Sequence, residues 1–385
     1  MVADDPLYHA QQALGLIPRH GGFGLARRIA IAIVVTWAPL VVYAVLQRRL
    51  LPEGGAPEPL LEHFGIHARF LLALPLLFVA EATTDAVLHR ILPQFVTTGL
   101  VDGQLQPAFR QILARAARLR RSRLALAAMI AIVAAGAAAG WGGSEGLHEL
   151  AWERPPAAVG FHFGAFWFSW VSRPLFLLVL LAWLWRLAVL TWMFAQIARL
   201  ELRLAPTHPD RVGGLGFLET LTTGLAPLFF AVALPIAGRW GHEAVYHGLD
   251  VNQLKAPAAG LVVVQLLLAL APLLVFGPRL RAVRRRALVG YGALLAEHGR
   301  RVERRWIERQ VVPDEEGLLS APEIGPVADT VSLYQAVAGM RTSPLSRRSL
   351  APIALASVLP LVPVFATQIP LKQIAAKLLA PLVGL

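Results

Sequence analysis

Glu81, Asp85 and His89 stand four residues apart, so a helix would carry all three along one face. Arg186 sits alone among apolar neighbours between Pro174 and Ile197. Soon afterwards comes the string Leu202-Arg203-Leu204-Ala205-Pro206-Thr207-His208-Pro209-Asp210-Arg211-Val212-Gly213-Gly214-Leu215-Gly216-Phe217, with Glu219 just beyond it. Carboxylates, imidazoles and guanidiniums in apolar surroundings can pair as ions, carry protons, coordinate a cation or hold a polar substrate. Charge in hydrocarbon costs ~2.5–3.5 kcal/mol per residue on insertion scales, so such groups are where function is to be sought.

The expected arrangement is a Glu81–Arg186 or Asp85–Arg186 pair, with His208, Asp210 and Arg211 meeting Asp85 and His89 in one inner vestibule. Glu219 would lie one turn inside the next helix. Pro206 and Pro209 enforce a turn, and Thr207, His208 or Asp210 can cap that helix. Gly213, Gly214 and Gly216 remove side chains and allow close approach of backbone or ligand. Two interpretations compete. In one, the cluster is a structural ion-pair network around a tight turn; in the other, it is an inward-opening site for a proton, cation or substrate, with Glu81 and Asp85 as the titrating or cation-coordinating pair. Asp85, His89, His208 and Asp210 also suit a divalent metal chemically, although no dense ligand motif marks one.

The elements that must hold these residues are read from composition. Of 385 residues, 56% are hydrophobic and 16% charged, which is too little charge for an ordinary water-soluble chain. Seven runs reach the ~20 residues that a hydrocarbon crossing needs. They are Ile29–Leu46, Ala68–Leu88, Leu124–Trp141, Pro174–Ile197, Leu215–Gly238, Ala258–Gly277 and Leu350–Gln368. The expected fold is an all-α, polytopic membrane helical bundle. The first run, lacking a small-residue cleavage site behind it, reads as a retained span.

Arginine orients the bundle. Arg90, Arg110, Arg115, Arg118, Arg120, Arg121 and Arg123 come after the second run, Arg199, Arg203 and Arg211 after the fourth, and Arg279, Arg281, Arg284, Arg285 and Arg286 after the sixth. These segments are expected in the cytoplasm, whereas Glu145, Glu149 and Glu153 place the segment after the third run outside. The N-terminus is then inside and the C-terminus outside. The net charge of +12 is thereby assigned to topology and to anionic lipid headgroups, and nucleic-acid binding is not expected.

The chain divides into a cytoplasmic segment (1–28), six spans (29–278), a cytoplasmic helical insertion (279–348) and a seventh span with an amphipathic tail (349–385). Within the second part, Leu105, Phe109, Ile112, Leu113, Ala116 and Leu119 recur at helical spacing near 104–121, predicting a helix on the inner leaflet with its arginines facing away. In the insertion, a charged stretch near Glu297–Arg309, with pairs Glu297–Arg301 and Arg304–Glu308, precedes a Pro-rich acidic loop, Pro313–Pro326. A second amphipathic stretch, Val327–Met340, comes next and predicts a helical hairpin under the bundle. The tail, Leu371–Leu382, repeats the amphipathic pattern.

With no cysteine, disulfides, thiolate metal sites and cysteine nucleophiles are excluded. No HExxH, Gly-x-Ser-x-Gly or complete phosphate-loop motif is present, so catalysis is not indicated and no cofactor is expected. His208-Pro209-Asp210 also marks J-domains, but here Gly213 opens an apolar run rather than a soluble helix.

The His208–Phe217 string, with Arg203-Leu204 before it, Leu218 at its end and the Pro322–Arg341 region, resembles a family of uncharacterised bacterial multi-pass inner-membrane proteins with an HPD-x-x-GGLGFL signature. That resemblance spans roughly the C-terminal half and implies a location but no activity. In layout alone, the chain is similar to insect-type seven-span chemoreceptor channels. The expected function is a transporter or channel-like protein with an inward-facing polar site. A membrane sensor or scaffold acting through the insertion is the alternative, and a lipid-modifying enzyme using His208 and Asp210 the third. Homo-oligomerisation is compatible with each.

Overall fold

The computed structural model describes residues 24–51, 59–139, 152, 162–309 and 325–367. The segment before residue 24, the acidic residues Glu145, Glu149 and Glu153, residues 313–324 of the Pro-rich loop and the Leu371–Leu382 tail lie outside these residues. All regular structure among the described residues is helical, and seven helices are long and apolar enough to cross a membrane. The chain is a multi-pass integral membrane protein, since lipid satisfies no backbone amide and only internally bonded helices or closed barrels can cross it.

The first span, Gly24–Leu46, breaks at Trp37 into α1 (Gly24–Thr36) and α2 (Ala38–Leu46). The second, α3 (Phe64–Thr97), contains a π-helical turn at Ala68–Ala73. The third apolar stretch is two helices, α4 (Gln106–Arg120) and α5 (Arg123–Ala138). Ser122 is extended between them and its hydroxyl accepts the Ala125 amide, so it ends one helix and caps the next. Then come α6 (Phe163–Arg199), with a π-helical turn at Phe168–Ser172, and α7 (Gly216–Tyr246). The sixth span, α8 (Val251–Leu274), bends at Phe276 into α9 (Gly277–Val302). After it, α10 (Gly325–Ala338) pairs with α9, and α11 (Arg347–Ala366) is the last span.

α7 is the central helix, packed along both α3 and α11. Its contacts with α3 close at glycine. A Cβ on Gly238 would come within 2.9 Å of the Phe64 carbonyl oxygen, and one on Gly224 within 2.9 Å of Val87. Next to Gly224, the hydroxyls of Thr83 and Thr84 both donate to its carbonyl, at 2.9 and 3.0 Å. Pro227 interrupts the α7 ladder within the same turn, and the threonines supply hydrogen bonds there from outside the helix. α6 is tied to α3 by Trp183, whose indole donates to the Leu77 carbonyl at 3.1 Å, and to α4 by Trp185, which donates to that of Leu119 at 3.2 Å.

Two expectations change here. α4 does not turn all its arginines outward: Phe109 and Ala116 are buried, and Arg120 is also turned in, with its side chain 13% exposed. The α9–α10 pair is held by Arg284 donating to the Ala338 carbonyl and by His298 near the Thr330 hydroxyl. Glu297 pairs with Arg301 as spacing suggests, at 3.3 Å, whereas Arg304 donates to the Arg300 carbonyl.

Candidate functional site

Glu81 lies near the middle of α3, roughly 26 Å from Phe64 at 1.5 Å per residue. It is 5% exposed, and each carboxylate oxygen has its own guanidinium. Arg186 Nη2 on α6 donates to Oε1 at 3.0 Å, and Arg28 Nη2 on α1 donates to Oε2 at 2.8 Å. Each arginine also lies over an aromatic ring, Arg28 4.7 Å from the Phe78 centroid and Arg186 5.4 Å from that of Trp183. The Glu81–Arg186 pair is one that the sequence suggested. Arg28, at the start of α1, is the partner that it did not.

One turn further along α3, Asp85 faces Arg120 of α4 at 3.6 Å, an ion pair too long for a hydrogen bond. Both side chains are largely buried, at 15% and 13% exposed. Arg120 Nε is buried with no hydrogen-bond partner among the described residues, as is Arg28 Nε. Three guanidiniums thus surround two carboxylates, and the group carries one positive charge when all are ionised.

The ions border a cavity of about 50 Å³. At ~10–15 Å³ per water, that is room for a few water molecules or a group of similar size. Along α3 its wall is Glu81, Thr84, Asp85 and Leu88, one helical face at i, i+3, i+4 and i+7. Ala116, Ala117 and Arg120 come from α4, where the two alanines leave the space open. Trp183, Arg186, Leu187, Leu190 and Met193 of α6 and Leu225 of α7 complete an otherwise apolar lining.

The remaining expected residues are elsewhere. His89 is exposed, and its Nδ1 lies 2.8 Å from the Asp85 backbone carbonyl of its own helix rather than in the cavity. His208, Asp210, Arg211 and Glu219 form a second cluster at the turn before α7, and none of them borders the cavity. There Asp210 Oδ1 accepts the amides of Val212 (2.8 Å) and Gly214 (3.2 Å), Oδ2 accepts that of Gly216 (2.8 Å), and His208 Nδ1 lies 2.9 Å from Oδ1. Burial alone would raise the Asp210 pKa, but these amides and the imidazole outweigh it and hold the carboxyl below its ordinary value. Gly213 and Gly214, at φ +69° and +94°, take the left-handed backbone that this wrap requires.

Arg211 is itself left-handed at φ +59°, and its side chain is exposed; its contribution is the backbone carbonyl, which accepts the Arg341 amide at 2.7 Å. The Arg341 guanidinium donates to the carbonyls of Asp210 and Leu345 and lies 3.0 Å from Glu219 Oε1 as an ion pair. Ser346, the cap of α11, donates to Glu219 Oε2 at 2.6 Å. This cluster therefore anchors the link between α10 and α11 onto the start of α7. Asp210 is taken up by backbone amides and Glu219 by the Ser346 hydroxyl and the Arg341 ion pair, although Glu219 Oε1 has no hydrogen bond among the described residues; this fits the structural interpretation for this half of the expected site. Among the described residues, no group of three or more His, Asp or Glu is placed to hold a metal ion.

Sequence reasoning also passed over a second polar cavity. His63, before α3, and Arg239, His242, Glu243 and His247, at the end of α7, border about 260 Å³ at the end of α7 away from the Asp210 turn. The rings of His63 and His242 stack with centroids 4.7 Å apart, and Arg239 pairs with Glu243 at 2.9 Å. No spacing rule joins His63 to His242, because the α3–α7 contact that brings them together is tertiary.

Comparison with family models, with curated proteins and with solved structures returned no match to this chain.

Proposed function

We propose that this protein is a transporter or channel-like protein of the bacterial inner membrane, with the Glu81–Asp85 cavity as the polar site on its substrate path. The observation that carries this is a cavity with room for a few waters in the apolar part of the bundle, walled by four helices and bordered by four buried or largely buried ionisable groups, Glu81, Asp85, Arg120 and Arg186. A network needed only for packing would be expected to close on itself. Glu81 does so with its two arginines, whereas Asp85 and Arg120 stand apart at hydrogen-bond-breaking distance beside open volume.

On the arginine bias, the Asp210 turn and the α9–α10 pair are read as cytoplasmic, and the proposed site is read as facing that side. The test is solute counterflow in proteoliposomes across a panel of inorganic ions and small organic acids, amines and sugars. Wild type moves at least one class; Ala117→Trp, which blocks the cavity while leaving every charged residue in the sequence, stops it. A wild type that moves none of them contradicts the proposal.

α9, in which only Gly277 and Leu280 are buried, is paired with α10 and favours a second reading as a sensor or scaffold. It predicts that removing 325–338 abolishes a cellular phenotype which Ala117→Trp leaves intact.

A further inference from the structure

We infer that the cavity recognises a short-chain monocarboxylate at Arg120, and that the carboxylate enters together with one proton taken up by Asp85. This rests on the transport reading for its purpose, but not for the binding event itself.

The sequence alone left a proton, cation or substrate site open, with Glu81 and Asp85 as the titrating or cation-coordinating pair. The charge balance now argues the other way. Both Glu81 oxygens are occupied by guanidiniums, and the cluster holds three arginines against two acids. A cation would enter a region already positive, in a medium where like-charge repulsion is poorly screened. An anion would not. Arg28 Nε also lacks a partner among the described residues but does not border the cavity; Arg120 does border it, its nearest carboxylate is 3.6 Å away without a hydrogen bond, and its buried Nε has no partner among the described residues. A guanidinium presents a planar fork that matches a carboxylate in bidentate fashion.

The rest of the lining selects among anions. Leu88, Leu187, Leu190, Met193 and Leu225 offer an aliphatic tail a dry wall. The Thr84 hydroxyl is already donated to Gly224. A phosphate, with more oxygens to satisfy, would leave acceptors unpaired against leucine. The 50 Å³ volume limits the tail to a few carbons.

The proton follows from competition at Arg120 rather than from the charge count, since a carboxylate alone would already bring the group from one positive charge to none. Asp85 is the group that competes with an incoming carboxylate for Arg120. The charged groups around it are Glu81 and His89 on its own helix, Arg120 on α4, Arg186 on α6 and Arg28 on α1; α7 brings only apolar Leu225 to the cavity wall. If one proton moves from water to the Asp85 carboxylate as one carboxylate binds, the buried charge is the same before and after. Once protonated, Asp85 no longer competes for Arg120, and movement of one carboxylate with one proton across the membrane is electroneutral.

The test uses the full-length protein in detergent, with butyrate as probe and sodium and inorganic phosphate as comparators. Titration calorimetry in buffers of different ionisation enthalpy should show butyrate binding with uptake of about one proton, and affinity rising up to about tenfold per pH unit as pH falls. Asp85→Asn should bind butyrate with no proton uptake and no pH slope. Arg120→Gln should lose binding, and Arg120→Lys should recover part of it. Binding of phosphate or sodium in preference to butyrate overturns the inference, as does wild-type binding without proton uptake, a measurement that needs no variant to fold. Butyrate binding without counterflow in proteoliposomes leaves the site standing and removes the transport reading; flux of a cation without butyrate binding does the reverse.

Discussion

Replacing Glu81 with Gln should be among the most damaging single changes in the protein. The carboxylate is 5% exposed and accepts from Arg28 at 2.8 Å and Arg186 at 3.0 Å, so Glu81→Gln leaves two buried guanidiniums with a neutral amide between them. Removing one member of a buried ion pair costs ~3–5 kcal/mol, chiefly because the other charge is left uncompensated. The stacking of Arg28 on Phe78 and Arg186 on Trp183 persists and restrains the loss, so the same ~3–5 kcal/mol is expected although two arginines are orphaned. At 1.4 kcal/mol per factor of ten, the unfolded fraction rises roughly a hundred- to several-thousand-fold. The assay is reversible denaturation in mixed micelles, with Glu201→Gln, on an exposed carboxylate, as a control expected within ~0.5 kcal/mol of wild type. Combining Glu81→Gln with Arg28→Gln should cost less than the sum of the two, because the second change removes one of the orphaned charges. A Glu81→Gln protein as stable as the control, or a strictly additive cycle, would refute the reasoning.

Other outcomes come from the packing and the turn. Gly238→Ala puts a methyl 2.9 Å from the Phe64 carbonyl and 3.1 Å from Gly65 Cα, backbone that cannot rotate away, and should cost ~1–3 kcal/mol in the same denaturation assay. Gly260→Ala, where nothing lies within 4 Å, should be neutral or slightly stabilising. Because the folded-state pKa of Asp210 is depressed, its stabilisation of the turn is complete at neutral pH and above the ordinary value of 3.8, and is lost as pH falls through the lower folded value. Amide exchange of Val212, Gly214 and Gly216 should therefore quicken below pH 3.8, and Asp210→Asn should remove that dependence. Arg341→Ala, which severs contacts to Asp210, Leu345 and Glu219, should speed exchange across 341–346 without altering butyrate binding.

The spans were legible because lipid demands long apolar runs, and each of the seven expected runs overlaps one of the seven long apolar helices, with Gly140, Trp141 and Gln368 lying outside the described residues. Their ends were not: Phe64 to His67 and Gly24 to Arg28 carry polar or charged residues that hydropathy counts against a span, yet they continue helices already begun. The same arithmetic hid Arg28, which reads as a flank but reaches Glu81 because α1 starts four residues before it. Glu81 with Arg186 could be paired from depth alone. Asp85 with His208 could not, since two helices reaching similar depth need not be neighbours, and His208 is engaged by Asp210 within its own turn. The inward turn of Arg120 was masked by the arginines around it, which give α4 the pattern of a surface helix.

The central claim, that the Glu81–Asp85 cavity opens to water on one side of the membrane, is tested most directly by thiol labelling, which the absence of native cysteine makes clean. In right-side-out and inverted vesicles, Ala117→Cys on the cavity wall is challenged with a membrane-impermeant thiol reagent. Ala231→Cys, fully buried away from the cavity, serves as the unreactive control. The account predicts that Ala117→Cys is labelled in inverted vesicles alone, and that butyrate slows the labelling. No reaction from either side, or equal reaction from both, would contradict it.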